Sequence, residues 1–261
     1  MLFVTLKGIF AFANAVDNLF LSSPSEVQME CITDHAATYI AENFPDNDFD
    51  LSEVYYIFKD NCYKINVQSR SSMDTAFSLF YDYKTFEFLR DNYESCVLSG
   101  YNTRTRLVEE YNARTREVIG AMPGAYIYSG DFCQYSEHTY RSSYFSPQGL
   151  DSATLILDYP YDVGVMGSQY GTIQVYFQTE EQDVTMEQLL ERMLEVDAAL
   201  TDAGLGYYVL DVRLLVGQYT ADLYVYDVTP EDLHCEDPLA RLWEIWEIQE
   251  AHRETIRNSK G

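Results

Sequence analysis

Apolar and polar residues alternate in the first half of the chain. Tyr63 and Ile65 alternate with polar neighbours at the two-residue period of a half-buried β-strand. A tight turn at Asp60-Asn61 joins this strand to the one before it, and residues 74–93 contain a second hairpin of the same kind. The pattern therefore predicts four antiparallel strands in this part of the chain.

Apolar residues at intervals of three or four mark the helices on either side of these strands. The first helix begins at Ser23-Pro24, where Ser23 can cap it, and ends at Pro45. The same spacing predicts three further helices, over about residues 103–119, 185–203 and 238–258.

The second half of the chain contains further strand patterns between its helices. These cover residues 125–129, 152–159, 171–178, 207–216 and 219–227. The predicted element order is α-ββββ-α followed by βββ-α-ββ-α. Because strands and helices do not alternate regularly, this order favours an α+β fold over a parallel doubly wound sheet. We expect two lobes, each a mainly antiparallel sheet covered by helices.

Changes in composition divide the chain into four segments. We expect an apolar N-terminal helix or anchor remnant in residues 1–22, a first α+β domain in 23–122, a connector packed on the body in 123–150 and a second α+β domain in 151–261. Lys7 interrupts the N-terminal segment, which therefore falls short of the about 20 apolar residues that span a bilayer. This segment either packs on the body or is what remains of a membrane anchor.

The chain is strongly acidic. It has 42 Asp and Glu against 17 Lys and Arg, a formal charge of −25. Charge of that sign and size repels phosphate backbones, so direct nucleic-acid binding is not expected. The acids are spread along the chain, which is typical of a well-hydrated surface. The alternative is an acidic cytosolic inhibitor that mimics nucleic acid and occupies a basic partner.

Two short runs of potential metal ligands have simpler explanations. Asp46–Asp50 resembles the start of a calcium loop but lacks the glycine and the final glutamate, which favours a solvated loop. His234–Asp237 could join Cys133 and His138 around zinc, but the spaced ligand pairs of zinc sites are absent. We predict no metal site, and five widely spaced cysteines do not indicate a disulfide framework.

Catalytic and cofactor motifs are also missing. The sequence contains no G-x-S-x-G elbow, no glycine-rich phosphate loop and no H-E-x-x-H helix. We therefore predict no catalytic residue and no cofactor. A hydrolase that uses paired carboxylates stays an alternative, and it requires a cleft holding two carboxyl groups roughly 5–9 Å apart.

Residues 82–113 contain a motif in which a strand ends in Asp-x-Tyr and a helix begins with Asn-Thr-Arg-x-Arg. The matching residues are Asp91, Tyr93, Asn102, Thr103, Arg104 and Arg106. This motif resembles one in the YfjL-like proteins, a poorly characterised Gram-positive group that usually carries an N-terminal membrane segment. The resemblance covers about residues 24–122 and implies an extracytoplasmic domain held at the membrane, with no known activity to transfer.

The two arginines of this motif have two interpretations. Arg104 and Arg106 follow Asn102 and Thr103, which we expect to cap the helix, so the arginines could bind an anion or a partner carboxylate at the helix N-terminus. The structural interpretation is that they tie the helix to neighbouring acids such as Asp91.

Tyrosines provide the other candidate surface. Tyr176, Tyr207, Tyr224 and Tyr226 are predicted to project from strand faces opposite the apolar ones. Exposed tyrosine is favoured at recognition surfaces because it offers a large contact area at low entropic cost. The alternative is that the helix over 185–203 or the helix over 238–258 covers that face.

The absent catalytic motifs, the resemblance and the tyrosines together lead to a functional hypothesis. We expect a non-enzymatic interaction or sensory module at the bacterial cell envelope, on the extracytoplasmic side of the plasma membrane, that binds a protein or peptide. A cytoplasmic location is the alternative.

Overall fold

A computed structural model describes residues 25–46, 48–135, 145–146, 149–180, 183–217 and 220–259. The predicted N-terminal segment 1–22 and His138 lie outside the described residues. The described residues form two compact units, one within Met1–Thr103 and Ala153–Asp158 and the other within Arg104–Ser152 and Tyr159–Gly261.

The first unit contains one long helix and a five-stranded sheet. Its elements are α1 (Glu26–Asn43), β1 (Phe49–Leu51), β2 (Tyr55–Ile57), β3 (Cys62–Ser69), β4 (Ala76–Asp82), β5 (Phe88–Asp91) and a π-helical turn (Glu94–Leu98). The strand order is β1-β3-β4-β5, with β2 also pairing with β3, and every pair is antiparallel. The two predicted hairpins are present, and β1 is one strand more than the sequence predicted.

Helix α1 begins two residues later than the sequence predicted. Ser25 caps the helix, and its hydroxyl accepts a hydrogen bond from the Gln28 backbone N–H while the Gln28 side chain reaches back to the Ser25 N–H. This capping box satisfies backbone donors that the first turn leaves unpaired. The Ser23 cap is therefore wrong, although the apolar face of the helix is confirmed by the burial of Ile32 and Ala36.

Apolar side chains of α1, β3 and β4 form the core of the first unit. Ile32, Ala36, Ile65 and Leu79 are fully buried there. Aromatic rings surround these residues, and the centroids of Phe44 and Phe77, for example, lie 5.2 Å apart. Contacts of this kind between large apolar surfaces stabilise the unit.

The second unit has a four-stranded sheet with helices. Its elements are α2 (Tyr101–Ile119), which starts at the end of the first unit, β6 (Ala125–Phe132), β7 (Gln134–Tyr135), β8 (Phe145–Ser146), α3 (Val163–Tyr170), β9 (Gly171–Thr179), α4 (Met186–Asp202), β10 (Val209–Val216), β11 (Thr220–Val228), α5 (Pro230–Leu233) and α6 (Pro238–Ser259). The strand order in the main sheet is β11-β10-β9-β6.

One pair of strands in this sheet is parallel. Strand β9 runs parallel to β10 and antiparallel to β6, while β10 and β11 are antiparallel. Helix α4 connects the parallel pair, as a parallel connection requires. The sheet is still mainly antiparallel, so the predicted α+β class with two lobes is confirmed.

One predicted strand is absent. Residues 152–159 form a 3₁₀ turn at Ser152–Thr154 and then irregular backbone. Ile156 and Leu157 are 62% and 40% exposed, so the apolar run does not enter a core. Asp158 has a φ of 57°, which a regular strand does not allow.

Helices α2 and α4 cover one face of the second sheet. The guanidinium carbon of Arg192 on α4 lies 5.3 Å from the ring centroid of Phe177 on β9. A Cβ added at Gly130 on β6 would lie 2.4 Å from Thr115 Oγ1 on α2, so only glycine permits this close approach. Val175 and Val212 on the same face are fully buried.

Among the described residues, no helix combines the length and the apolar character needed to cross a bilayer.

Candidate functional site

The opposite face of the second sheet carries a cross-strand row of aromatic and cationic side chains. Tyr176 on β9 pairs in register with Arg213 on β10, and Arg213 pairs with Tyr224 on β11. All three are half-buried. Side chains in register on neighbouring strands point to the same face of a sheet. We call this surface, with Tyr226 and Arg253, the arginine–tyrosine face.

Arg213 lies between two tyrosine rings. Its guanidinium carbon is 5.5 Å from the centroid of Tyr176 and 5.4 Å from that of Tyr224. These distances fit cation–π attraction, which the quadrupole of the ring provides. Among the described residues no ion pair includes Arg213, and its Nε is buried without a hydrogen-bond partner there.

Helix α6 borders this face along the edge strand β11. The Gln249 amide donates to the backbone carbonyl of Tyr226 at 2.7 Å and accepts from its N–H at 3.2 Å. The guanidinium carbon of Arg253 lies 4.1 Å from the centroid of Tyr224. Arg253 also pairs with Glu250, at 3.5 Å from Nε to Oε2. The helix thus protects the edge of the sheet and adds a second cation to the face.

A buried carboxylate lies beside Arg213 on the same strand. Asp211 has no exposed surface, and its oxygens accept from the Asp227 backbone N–H at 2.8 Å and from Gln174 Nε2 at 3.1 Å. Burial raises the pKa of Asp211 to about 6, because the charged form loses its hydration.

The structure brings three of the four predicted tyrosines together. Tyr176, Tyr224 and Tyr226 share the arginine–tyrosine face, and the ring centroids of the last two are 5.1 Å apart. Tyr207 does not share it, because it precedes β10 and is only 4% exposed. The helix over 185–203 does not cover these rings, since α4 lies on the Phe177 side of the sheet.

The two predicted arginines have structural contacts elsewhere. Arg104 donates to the carbonyl of Phe132 at 3.0 Å and pairs with Asp131 at 3.3 Å, in place of the expected Asp91. Arg106 donates to the carbonyl of Tyr159 at 3.2 Å. With a side chain that is 15% exposed, Arg104 fits the structural interpretation.

The predicted helix cap is also different in the structure. Helix α2 begins at Tyr101, so Asn102 and Thr103 lie inside its first turn. The Asn102 amide donates to the carbonyls of Asp74 and Ala76, at 2.9 Å and 2.6 Å. It therefore fastens the helix start to the first sheet instead of capping the helix.

The two acidic runs make contacts within the protein. Arg70 forms ion pairs with both Asp48 and Asp50. His234 Nε2 lies 2.9 Å from Asp197 Oδ2, and Cys133 Sγ lies 2.7 Å from Thr172 Oγ1. Among the described residues, no three His, Cys, Asp or Glu side chains are grouped as a metal site requires.

A cleft of about 1110 Å³ opens in the second unit, away from the arginine–tyrosine face. Its ionisable side chains are Asp197, Glu231 and His234, together with Tyr170, Tyr207 and Tyr208. Two carboxyl groups thus line one cleft, which is part of what the hydrolase hypothesis requires. Asp197, however, already accepts hydrogen bonds from Tyr207 at 2.6 Å and from His234.

The sequence did not single out Arg213 or Arg253. Arg213 lies in the otherwise apolar run V-L-D-V-R-L-L-V, and the charged residues Asp211 and Arg213 are the local signal that one face of this strand is polar. Its neighbours follow from the register of three strands. Arg253 lies on a helix whose position against β11 depends on the Gln249 contact.

Comparisons with known proteins give little further information. No family model and no curated protein matches the chain. A crystal structure of a DUF5037 family protein from Ruminococcus gnavus ATCC 29149 is similar over 69% of this chain and 72% of that one, with 15% identity and a TM-score of 0.20. A likeness at that score carries no argument about fold or function.

Proposed function

We propose that this chain is a non-enzymatic binding module that docks a carboxylate-bearing protein or peptide on its arginine–tyrosine face. The observation that carries the proposal is the position of Arg213. It is a half-buried cation between two tyrosine rings, and no ion pair among the described residues includes it.

The chemistry of the face supports a carboxylate partner. In a chain with 42 acidic residues, other arginines such as Arg70 and Arg241 pair with acids of the protein itself. The planar guanidinium group forms two parallel hydrogen bonds to a carboxylate, and the flanking rings limit access of water. Arg213 is therefore a cation that an incoming carboxylate can pair with.

The shape of the face supports a peptide or protein over a small molecule. The row extends over three strands, and Ile127 on β6, which pairs with Tyr176, is 50% exposed. Tyrosine and arginine are enriched among the residues that dominate binding energy in protein interfaces. An extended segment with an acidic side chain and an apolar neighbour would contact Arg213 and Ile127 together.

Selection from a random peptide library on the immobilised protein tests this proposal. The expected result is enrichment of peptides with Asp, Glu or a free C-terminal carboxylate. The selected peptides should bind Arg213→Gln at least about tenfold more weakly, since interface arginines commonly contribute 2 kcal/mol or more. Arg192→Gln, on the opposite face, is the matched control and should bind as the wild type does. Peptides without carboxylates, or equal binding to both variants, would contradict the proposal.

The proposal includes a location at the bacterial cell envelope, on the extracytoplasmic side. Its support is the resemblance of residues 24–122 to the YfjL-like proteins. Fractionation of producing cells followed by protease treatment of intact cells tests it. We expect to find the chain in the membrane fraction and to see protease digest it on intact cells. A chain in the cytosolic fraction that is protected from protease would contradict the location. That result would not affect the binding proposal, which has its own test.

A further inference from the structure

The cleft in the second unit is built from four elements. Helix α3, the C-terminal half of α4 and the short helix α5 provide residues of its walls, and we call the loop 204–208 its floor. Its volume of about 1110 Å³ is large enough for a small organic ligand. We call it the Asp197 cleft.

The floor of the Asp197 cleft is formed by closely packed backbone. A Cβ added at Gly206 would lie 1.9 Å from Ser168 Oγ, and one added at Gly164 would lie 2.2 Å from the Gly204 carbonyl oxygen. The Gly206 N–H donates to the Gly164 carbonyl at 3.2 Å. Helix α3 is therefore held directly on the loop, and the floor is a preformed surface.

A buried carboxylate stands at one wall. Asp197 is 7% exposed, and its oxygens accept from the Tyr207 hydroxyl at 2.6 Å and lie 2.9 Å from His234 Nε2. Burial and the hydrogen bond to Asp197 raise the pKa of Tyr207, so the phenol stays a neutral donor. The His234 side chain is 61% exposed and borders the opening.

The charge of the Asp197 cleft is negative. Glu231 is exposed and lines the cleft together with Asp197. No Lys or Arg is among the described residues that line the cleft. Two acids against one histidine, inside a protein of charge −25, attract cations and repel anions.

We propose that the Asp197 cleft binds a small organic cation, a protonated amine carried on an aromatic or apolar body. Glu231 and Asp197 supply negative charge, which attracts a protonated amine. Tyr170 and Tyr208 are half-buried in the lining, and tyrosine rings attract organic cations through their π faces. The preformed floor limits the conformational entropy that binding would cost.

Benzylamine and benzyl alcohol form a matched pair of probes, because they share the ring and differ in the charge. Isothermal titration should show saturable binding of benzylamine, and binding of benzyl alcohol that is weaker by about tenfold or more, as expected for loss of a charged contact. Equal binding of the two probes, or no saturable binding of benzylamine, would overturn the proposal.

Two variants separate the cleft from the general acidity of the protein. Glu231→Gln should weaken benzylamine binding by about fivefold or more, whereas Glu236→Gln makes the same change of charge at an exposed residue outside the cleft and should leave it unchanged. Both residues are exposed, so both variants should fold. Equal effects of the two variants would show attraction to net charge alone and would overturn the assignment to the cleft.

Nuclear magnetic resonance locates the probe. The carbon-bound ring protons of His234 should shift when benzylamine binds, while those of the exposed His252, on α6 and outside the cleft, should not. Shifts confined to His252, or equal shifts of both, would place the amine elsewhere.

Discussion

Burial and strand register give Asp211 and Arg213 in the second sheet different roles, which their residue types alone do not predict. Asp211 and Arg213 stand two positions apart on β10 and project to the same face. Asp211 is buried and hydrogen-bonded by Gln174 and a backbone N–H, while the guanidinium of Arg213 lies between the rings of Tyr176 and Tyr224. The carboxylate is therefore a structural group of this face, and the arginine is the group that we propose binds a partner.

Asp211 leads to a prediction about stability and pH. Its folded pKa of about 6 lies above the ordinary 3.8, so between these values the native state binds the proton more tightly than the unfolded chain. The contribution of Asp211 to stability is therefore greatest at low pH and falls as the pH rises to about 6. Asp211→Asn, which mimics the protonated form, should raise the free energy of unfolding by about 1–3 kcal/mol at about pH 7.5.

Urea unfolding at about pH 5 and about pH 7.5 checks this prediction. The difference in free energy of unfolding between Asp211→Asn and the wild type should shrink at the lower pH. Asp202→Asn is the control, because Asp202 is exposed and its change should give no pH-dependent difference. If Asp211→Asn is no more stable than the wild type at the higher pH, or if its gain in stability grows at the lower pH, the raised pKa of Asp211 is refuted.

At the scale of elements, helix α3 depends on its glycines. A Cβ at Gly167 would lie 2.1 Å from the Gly206 carbonyl oxygen. Gly167→Ala should therefore lower the free energy of unfolding by about 1–3 kcal/mol, although alanine is the better helix former by about 1 kcal/mol. Chemical denaturation measures the change. Val165→Ala, on the same helix at a residue that is 59% exposed, should be nearly neutral; similar losses in both variants would contradict the close packing.

Helix α6 hydrogen-bonds the edge strand of the second sheet through Gln249. Gln249→Ala removes the partner of both backbone groups of Tyr226 and should cost about 1–3 kcal/mol. The freed edge can pair with another chain, so we also expect concentration-dependent association in sedimentation experiments. Glu247→Ala, at an exposed residue of the same helix, is the control. A variant as stable and as monomeric as the control would contradict this role.

Elements with a regular period could be predicted from the sequence. Strand β3 alternates, and the Thr185 capping box marks the start of α4 as expected. The strand predicted over residues 152–159 is wrong, because an apolar run without alternation does not show whether its side chains enter a core. Helix α3 was missed because its glycines disfavour a helix, and its stability comes from the Asp162 cap and the backbone of the 204–206 loop.

The candidate sites could be predicted only in part, for a related reason. The alternation in β9 predicts that Tyr176 projects from the face opposite the apolar one. Its contact with Arg213 depends on the parallel pairing of β9 with β10, which the local pattern does not specify. The Asp197 cleft brings together residues of α4, α5 and a loop, and none of these spacings is a motif.

The net charge of the whole molecule opposes the proposed binding of a carboxylate-bearing partner. A protein of charge −25 repels acidic peptides at long range, so such a peptide can bind only where a local cation outweighs that repulsion. On the arginine–tyrosine face this cation is Arg213, which lies between two tyrosine rings, whereas Arg253 pairs with Glu250. Binding of an acidic peptide would therefore report on this face specifically.

The most direct measurement is the nuclear magnetic resonance signal of the Arg213 Nε–H during titration with the N-acetylated, C-amidated peptide Tyr-Glu-Glu-Tyr. The control is Tyr-Gln-Gln-Tyr blocked in the same way, which carries no carboxylate. The account predicts a saturable shift of this signal with the glutamate peptide, a much smaller shift with the glutamine peptide, and no shift of the Arg192 Nε–H with either. An Arg213 signal that stays unchanged, or that responds equally to both peptides, would contradict the account.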